Sequence, residues 1–299
     1  MIYKNILVPL DGSELAERVL PAALYLAEAM AGSIIFLTVV TKRSGADASL
    51  MAKAIQTGTY EADLYLRSLK KRFSPALVSI ETAVITGKPD KEIITFAQEN
   101  NSDLIIMSTH GRSGITRWSF GRTAEKVLRR APCPTVILRS DNEIDPEKFE
   151  RVMLPLDGSS LAERVLAPAL SMVKAMGVEL FLLQVVEPNS FYGFGHSDEF
   201  LGADVEAAQT YLAEVRERVL LPDKIVHTHV AVGPATDLIV DYAATQQIDL
   251  ILLTSRGHSG FDEWMFGSVA EKVMVGAPCA ILVIRQEPFA LPEDVNNDK

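Results

Sequence analysis

Apolar residues in this chain fall into short runs separated by amphipathic stretches. Ile6-Leu7-Val8-Pro9-Leu10 is uninterrupted, the pattern of a strand buried on both faces. Ser13 then offers a helix cap, and Leu15, Val19, Ala23, Leu26 and Met30 follow at helical spacing, predicting one helix that Gly32 stops. Ile34 to Val40 reads as a second strand. A second helix is predicted over Glu61 to Phe73, with Leu64, Leu69 and Phe73 among its apolar positions. Leu77 to Ile85 alternates as a strand does, and Pro89 opens a third helix that runs to Asn100. Leu104 to Met107 is the fourth strand, Arg122 to Arg130 the fourth helix, and Thr135 to Leu138 the fifth strand. This alternation predicts an α/β fold, a five-stranded parallel sheet with helices on both faces.

Every element then returns at a constant offset of 146 residues. Asp11-Gly12-Ser13 recurs as Asp157-Gly158-Ser159, Val39 as Val185, Gly87 as Gly233 and Asp103 as Asp249. Gly111 recurs as Gly257, Gly121 as Gly267, and Pro132-Cys133 as Pro278-Cys279. From Asp11 to Leu24, 11 of 14 positions are identical to those from Asp157 to Leu170. A period this long exceeds solenoid units and matches one ordinary domain, so the chain reads as a duplicated and fused domain. The boundaries expected are 1–140 for the first domain, 141–150 for a polar linker containing Pro146, 151–286 for the second domain, and 287–299 for an acidic tail.

Composition narrows the setting. A chain of 299 residues, 48% of them hydrophobic, can bury two cores. A formal charge of −10 speaks against nucleic acid or an anionic membrane surface as partner. Two cysteines at equivalent places make no disulfide framework, so a reducing cytoplasm is expected, with both thiols buried and structural. No signal peptide is expected, because Asp11, Glu14, Glu17 and Arg18 interrupt the place of its apolar core. The most apolar stretch, Ala22 to Val40, carries Glu28 and a Gly32-Ser33 break, and so is a helix and a strand, not a membrane span.

In an open parallel sheet, ligands sit beyond the carboxyl ends of the strands where strand order reverses. Two loops fall at such ends: Pro9 to Ser13, and Ser108 to Gly114 continuing to Phe120-Gly121-Arg122-Thr123. Glycines there allow close backbone approach, and a helix N-terminus favours an anion such as phosphate. The Asp11 carboxylate suits the other end of a nucleotide, accepting hydrogen bonds from ribose hydroxyls or an adenine amino group. Equally, glycines in a turn that caps a helix need no ligand.

The residues carry a resemblance. Asn5 to Ser13, together with Ala124-Glu125-Lys126-Val127-Leu128-Arg129-Arg130-Ala131-Pro132-Cys133-Pro134, is similar to the universal stress protein family, in a tandem arrangement that spans both halves. The resemblance implies two Rossmann-like domains of the adenine nucleotide alpha hydrolase type. ATP-binding members carry a G-x2-G-x9-G-[S/T] loop. Here the spacing is kept as Ser108-x2-Gly111-x9-Gly121-Arg122 and Thr254-x2-Gly257-x9-Gly267-Ser268, with the leading glycine replaced in both. In the first half Arg122 also replaces the final hydroxyl residue.

Carried to matching positions, the resemblance implies that Asp11 and Asp157 contact ribose and adenine with Pro9 and Pro155 nearby. Val39 and Val185 would pack on the base. Gly111, Arg112, Gly121 and the amides of Arg122-Thr123 would hold phosphates. Gly257, His258, Gly267, Ser268 and Val269 would do so in the second half. Ser108 and Thr254 can donate hydroxyl hydrogen bonds, Arg122 can pair with a phosphate, and Thr123 is the nearest substitute hydroxyl. The implied ligand is ATP, or AMP or ADP, with Mg²⁺ carried on the phosphates and no metal site in the protein. Family domains pair through their last strands. Thr135 to Leu138 and Ile281 to Ile284 are therefore expected to pair within the chain, shielding both edges, and a homodimer of the whole chain is left open beside this pairing.

Charge separates the halves. Residues 110–130 carry a net +5, whereas residues 258–276 carry −2. An anion is drawn to the first half while the loop pattern matches better in the second, so unequal sites are expected. Other candidates carry less. His227 and His229 share a strand face but lack a third metal ligand, and a solvated face accounts for them. His196, Asp198 and Glu199 read as a covering loop. His110 becomes Arg256 in the repeat, against a required acid-base role. Gly111 to Gly114 falls short of a nucleophile elbow, and neither a P-loop nor a dinucleotide fingerprint occurs. With no general base or nucleophile evident, any hydrolysis is expected to be slow. Three classes stay open: a nucleotide-binding stress regulator, a chaperone-like scaffold with vestigial sites, and an enzyme acting on nucleotides.

Overall fold

The computed structural model describes residues 3–41, 48–73, 77–109, 121–139, 149–188, 198–219, 221, 225–255 and 266–285. The expected linker lies largely outside these residues and the expected tail wholly so. In the first half the elements run β1 (Asn5–Pro9), α1 (Glu14–Glu17), α2 (Leu20–Ala29), β2 (Ser33–Val40), α3 (Ala48–Arg72), β3 (Ser79–Thr86), α4 (Pro89–Glu99), β4 (Leu104–Ser108), α5 (Arg122–Arg130) and β5 (Thr135–Leu138). The second half runs β6 (Arg151–Pro155), a 3₁₀ turn (Ala162–Val165), α6 (Leu166–Met176), β7 (Glu179–Val186), α7 (Asp198–Arg218), β8 (Val226–Val232), α8 (Ala235–Thr245), β9 (Leu250–Thr254), α9 (Ser268–Gly276) and β10 (Ala280–Ile284).

All ten strands form one sheet, ordered β3-β2-β1-β4-β5-β10-β9-β6-β7-β8. Within each half the pairs are parallel. The halves join through antiparallel β5 and β10, with Ile281 opposite Ile137, Leu282 opposite Val136 and Val283 opposite Thr135. Strand order reverses between β1 and β4 and again between β6 and β9.

Because side chains alternate across a strand, each buried strand feeds two cores. Ile6, Val8, Leu104, Ile106, Val136 and Leu138 face the same core as Val152, Leu154, Leu250, Leu252 and Leu282, so one hydrophobic layer runs across both halves. The opposite face holds two clusters. Leu7, Ile105 and Met107 pack with Ile93 of α4 and Val127 of α5. Leu128 and Ile137 of the first half join Val273, Met274 and Ile281 of the second. Phe149, within the segment read as linker, is 1% exposed and packs at 5.7 Å on Tyr25, whose hydroxyl donates to the Phe149 carbonyl. It occupies in the second half the place of fully buried Tyr3 in the first.

Three elements differ from the sequence reading. The first helix is broken into α1 and α2, because Pro21 has no N–H to donate one turn back. The repeat has the same break, a 3₁₀ turn leading into α6 with Pro168 near its start. At the end of α2 the left-handed residue is Ala31 (φ 48°), not Gly32. Gly32 serves close approach instead: a Cβ there would stand 3.0 Å from the Lys4 carbonyl oxygen. Finally, α3 begins at Ala48, well before Glu61. Thr57-Gly58-Thr59 lowers local helix propensity, but tertiary packing of the helix overrides it.

Asp103 and Asp249 are framework residues. Asp103 accepts the amides of Lys4 (2.8 Å) and Asn5 (3.0 Å), and Asp249 those of Glu150 and Arg151 (both 2.8 Å). Each fastens the start of a central strand to the loop before its neighbour, at the end of the sheet away from the strand C-termini. No described helix is long and apolar enough to cross a membrane.

Candidate functional site

A cavity of about 1200 Å³ opens where strand order reverses in the first half. Its floor is the carboxyl end of the sheet: Pro9 from β1, Val39 and Val40 from β2, Met107 and Ser108 from β4. The turn Leu10-Asp11-Gly12 forms one wall and Gly121-Arg122-Thr123-Ala124, the start of α5, another.

Local chemistry fixes each wall. Asp11 Oδ1 accepts the Ser13 amide at 3.0 Å and its hydroxyl at 2.6 Å, while Ser13 Oγ accepts the Ala16 amide at 3.1 Å as the cap of α1. The carboxylate is thus oriented by the turn it belongs to. Gly12 takes φ 80°, a left-handed conformation that favours glycine. The Asp157-Gly158-Ser159 turn repeats this, with bonds of 2.9 and 2.6 Å and φ 78° at Gly158.

At the other wall the Gly121 amide donates to the Thr109 carbonyl at 2.8 Å, joining the start of α5 to the end of β4. Gly267 and Ser255 do the same in the second half at 3.0 Å. Gly121 is the N-cap of α5 and supplies no side-chain cap, so the positive end of the helix dipole faces the cavity. On that helix Lys126 pairs with Asp90 and Arg129 with Glu125, whereas no ion pair of Arg122 occurs among the described residues. Arg122 is exposed and lines the cavity.

The structure therefore brings together Pro9, Asp11, Val39, Ser108, Gly121, Arg122 and Thr123 around one space. Gly111 and Arg112 lie outside the described residues, as do Gly257, His258, His110 and His196. In the second half Pro155 ends β6, Val185 lies near the end of β7, Thr254 ends β9, and Gly267 caps α9 ahead of Ser268 and Val269. Val185 and Val269 also pack against that half's core. Asp198 and Glu199, expected in a loop, open α7. Gly121 and Gly267 hold ordinary negative φ of −60°, so absence of a side chain, not unusual backbone, is what glycine supplies there.

The halves differ beneath the turn. In the first, Thr38 is buried in the cavity floor and its hydroxyl donates to the Leu10 carbonyl at 3.0 Å. In the second, Gln184 stands there and reaches the turn: a Cβ on Gly158 would lie 3.7 Å from its Nε2. Gln184 Oε1 is buried with no hydrogen-bond partner among the described residues.

The sequence reading missed a third wall. Ala54, Ile55, Gly58, Glu61 and Tyr65, all on α3, line the cavity. A signal was available: Glu17, Tyr65 and Arg72 return as Glu163, Tyr211 and Arg218 at the same offset. Arg72 pairs with Glu17, and Arg218 grips both oxygens of Glu163 at 2.9 and 2.8 Å, tying the end of the long helix to the first turn after the site loop.

The minor candidates resolve into packing. His227 stacks on Phe181 at 4.6 Å and His229 on Tyr242 at 4.9 Å. Among the described residues no group of three or more His, Cys, Asp or Glu could hold a metal ion. Cys279 is buried and Cys133 only partly so. Burial, with Asp103 adding to it, pushes the Cys133 thiol up to about 12, which removes it as a nucleophile near neutral pH.

These features define a doubly wound α/β protein, duplicated within one chain, with a cleft of mixed polar and apolar lining at a strand-order reversal. Both halves match the universal stress protein family, over residues 2–139 and 148–285, and the chain belongs to that family. Universal stress protein E of Salmonella typhi is 22% identical over 318 aligned positions, covering 99% of each chain. A universal stress protein of Mycobacterium tuberculosis is 27% identical over 214 positions, 70% of each chain. A solved universal stress protein from Archaeoglobus fulgidus shares the fold with a TM-score of 0.74 at 23% identity, across 95% of this chain and 99% of that one.

Proposed function

We propose that this universal stress protein is a nucleotide-responsive regulator in the cytoplasm that binds adenine nucleotide, ATP above all, in the first-half cavity. The observation that carries the reading is the polarity of that cavity: an oriented carboxylate, Asp11, at one wall, and Arg122 on an uncapped helix N-terminus at the other. A nucleotide has the matching polarity, hydrogen-bond donors at the nucleoside end and anionic oxygens at the other. Mg²⁺ would arrive on the phosphates.

The second half presents the same turn and helix start, with Ser268 in place of Arg122 and Gln184 reaching toward the turn. That arrangement supports weaker binding there. Thermal unfolding of the nucleotide-free chain with and without Mg-ATP tests the reading. A rise in Tm that grows with ligand concentration is expected. An unchanged Tm at millimolar ATP would contradict it and leave the scaffold reading.

A further inference from the structure

The wall that α3 gives the cavity carries a single charge. Ala54, Gly58, Glu61 and Tyr65 recur at helical spacing, so they share one face of α3, and all four line the cavity. A Cβ on Gly58 would stand 3.1 Å from Val40 Cγ1, so this face lies close over the end of β2, where Val39 and Val40 form the floor. Glu61 stands one turn further along, between that contact and Tyr65. An exposed carboxylate is ordinarily satisfied by water or by a neighbouring cation, as Asp63 is by Arg67 at 2.8 Å and Glu17 is by Arg72. Glu61 is exposed and on the cavity face, and it makes no hydrogen bond or ion pair among the described residues.

The repeat shows that the fold does not need this carboxylate. Ala207 stands at the equivalent position of α7, although Glu17, Tyr65 and Arg72 are all kept as Glu163, Tyr211 and Arg218. The Arg–Glu pair that ties down the long helix is present in both halves. What differs between the helices at this point is the group offered to the site, not the means of holding the helix.

We infer that Glu61 is a specificity-determining residue of the first-half site, accepting a hydrogen bond from the exocyclic amino group of the bound base. A carboxylate only accepts, so it selects a ligand group that donates. Phosphate is excluded by like charge and is drawn instead to Arg122 and the start of α5. On the adenine-nucleotide reading, on which this inference rests, the base lies on Val39 beneath this face of α3. The ring nitrogens of adenine accept, and its 6-amino group donates. On the base, therefore, the amino group is the one that suits Glu61. The second half, with Ala207 in its place, lacks this means of reading the base.

The test is calorimetric titration of the full nucleotide-free chain with Mg-ATP and with Mg-purine riboside triphosphate, which has hydrogen in place of the 6-amino group. Both titrations are repeated on Glu61→Ala. In its tighter component the native chain should bind ATP about three- to tenfold more tightly than the analogue. In Glu61→Ala that ratio should fall to near one. Removing a negative charge acts on both triphosphates alike, so the ratio, and not either affinity, is what is read. The Tm of the ligand-free variant should stay level, because alanine is the residue the repeat itself carries. A variant that keeps the native ratio overturns the inference. So does a native chain that binds both triphosphates equally, a result that needs no variant to fold. Absence of binding by both overturns the nucleotide reading itself, and this inference with it.

Discussion

In the first half Asp103 gathers the amides of Lys4 and Asn5, and in the second Asp249 gathers those of Glu150 and Arg151. The turns at Asp11 and Asp157 are built from the same two bonds, and both long helices are tied down by an Arg–Glu pair. Where a ligand would touch the protein the halves part: Thr38 against Gln184, Arg122 against Ser268, Thr123 against Val269. Taken over strictly equivalent windows, residues 110–130 carry +5 and residues 256–276 carry −1, Arg256 softening the −2 of the shorter stretch. Duplication preserved what holds the sheet together and let the site surfaces drift, so the two halves serve as a control for each other.

The largest expected effect comes from exchanging the cation. Arg122→Ser gives the first half the second half's residue and should weaken Mg-ATP binding roughly ten- to hundredfold, the loss of a charge-assisted hydrogen bond. Adenosine, lacking phosphates, should bind as before, and titration of both ligands checks this. Equal losses for the two would detach Arg122 from phosphate.

The framework should answer alike in both halves. Asp103→Ala and Asp249→Ala each strand two strand-start amides and should each lower unfolding free energy by about 2 kcal/mol, read from urea midpoints. A large difference between them would break the claim of an equivalent framework.

A smaller asymmetry lies at the helix ends. Ala31 holds φ 48° where Gly177 holds φ 69°. Gly177→Ala should cost about 1 kcal/mol and Ala31→Gly should be near neutral or stabilising, since nothing lies within 4 Å of a Cβ built on Gly177 and only backbone strain is at stake.

The smallest effect is alkaline. Burial raises both thiols, Cys133 from 9.0 to about 12 and Cys279 further. Unfolded thiols ionise first, so this contribution is whole below about pH 9 and is lost as pH rises toward the folded values. Replacing both cysteines by alanine should flatten the fall in urea midpoint above about pH 9. Ellman reagent should reach partly buried Cys133 before buried Cys279.

Much of this architecture was legible in the chain. The bounds of α5 and β5 coincide with the periodicity, because the amphipathic and apolar runs there start directly after Gly121 and Pro134. Other features were hidden for physical reasons. Pro21 and Pro168 break helices whose apolar spacing continues through them, and spacing does not register a missing N–H. The start of α3 was masked by Thr57-Gly58-Thr59, whose low intrinsic propensity loses to tertiary packing. With it went the third wall of the cavity, Tyr65 included. The site residues on strand ends and the α5 start could be placed from sequence because topology puts them there. The interaction beneath the turn could not, since only packing reveals that Gln184 reaches Gly158.

The central claim is that the first-half cavity holds a nucleotide. Calorimetric titration of the nucleotide-free chain with Mg-ATP, carried out on the native protein, Asp11→Asn and Asp157→Asn, tests it most directly. The account predicts saturable binding whose tighter component disappears in Asp11→Asn and survives in Asp157→Asn. Loss of the tighter component in Asp157→Asn alone, or no binding heat at millimolar ATP, would contradict it.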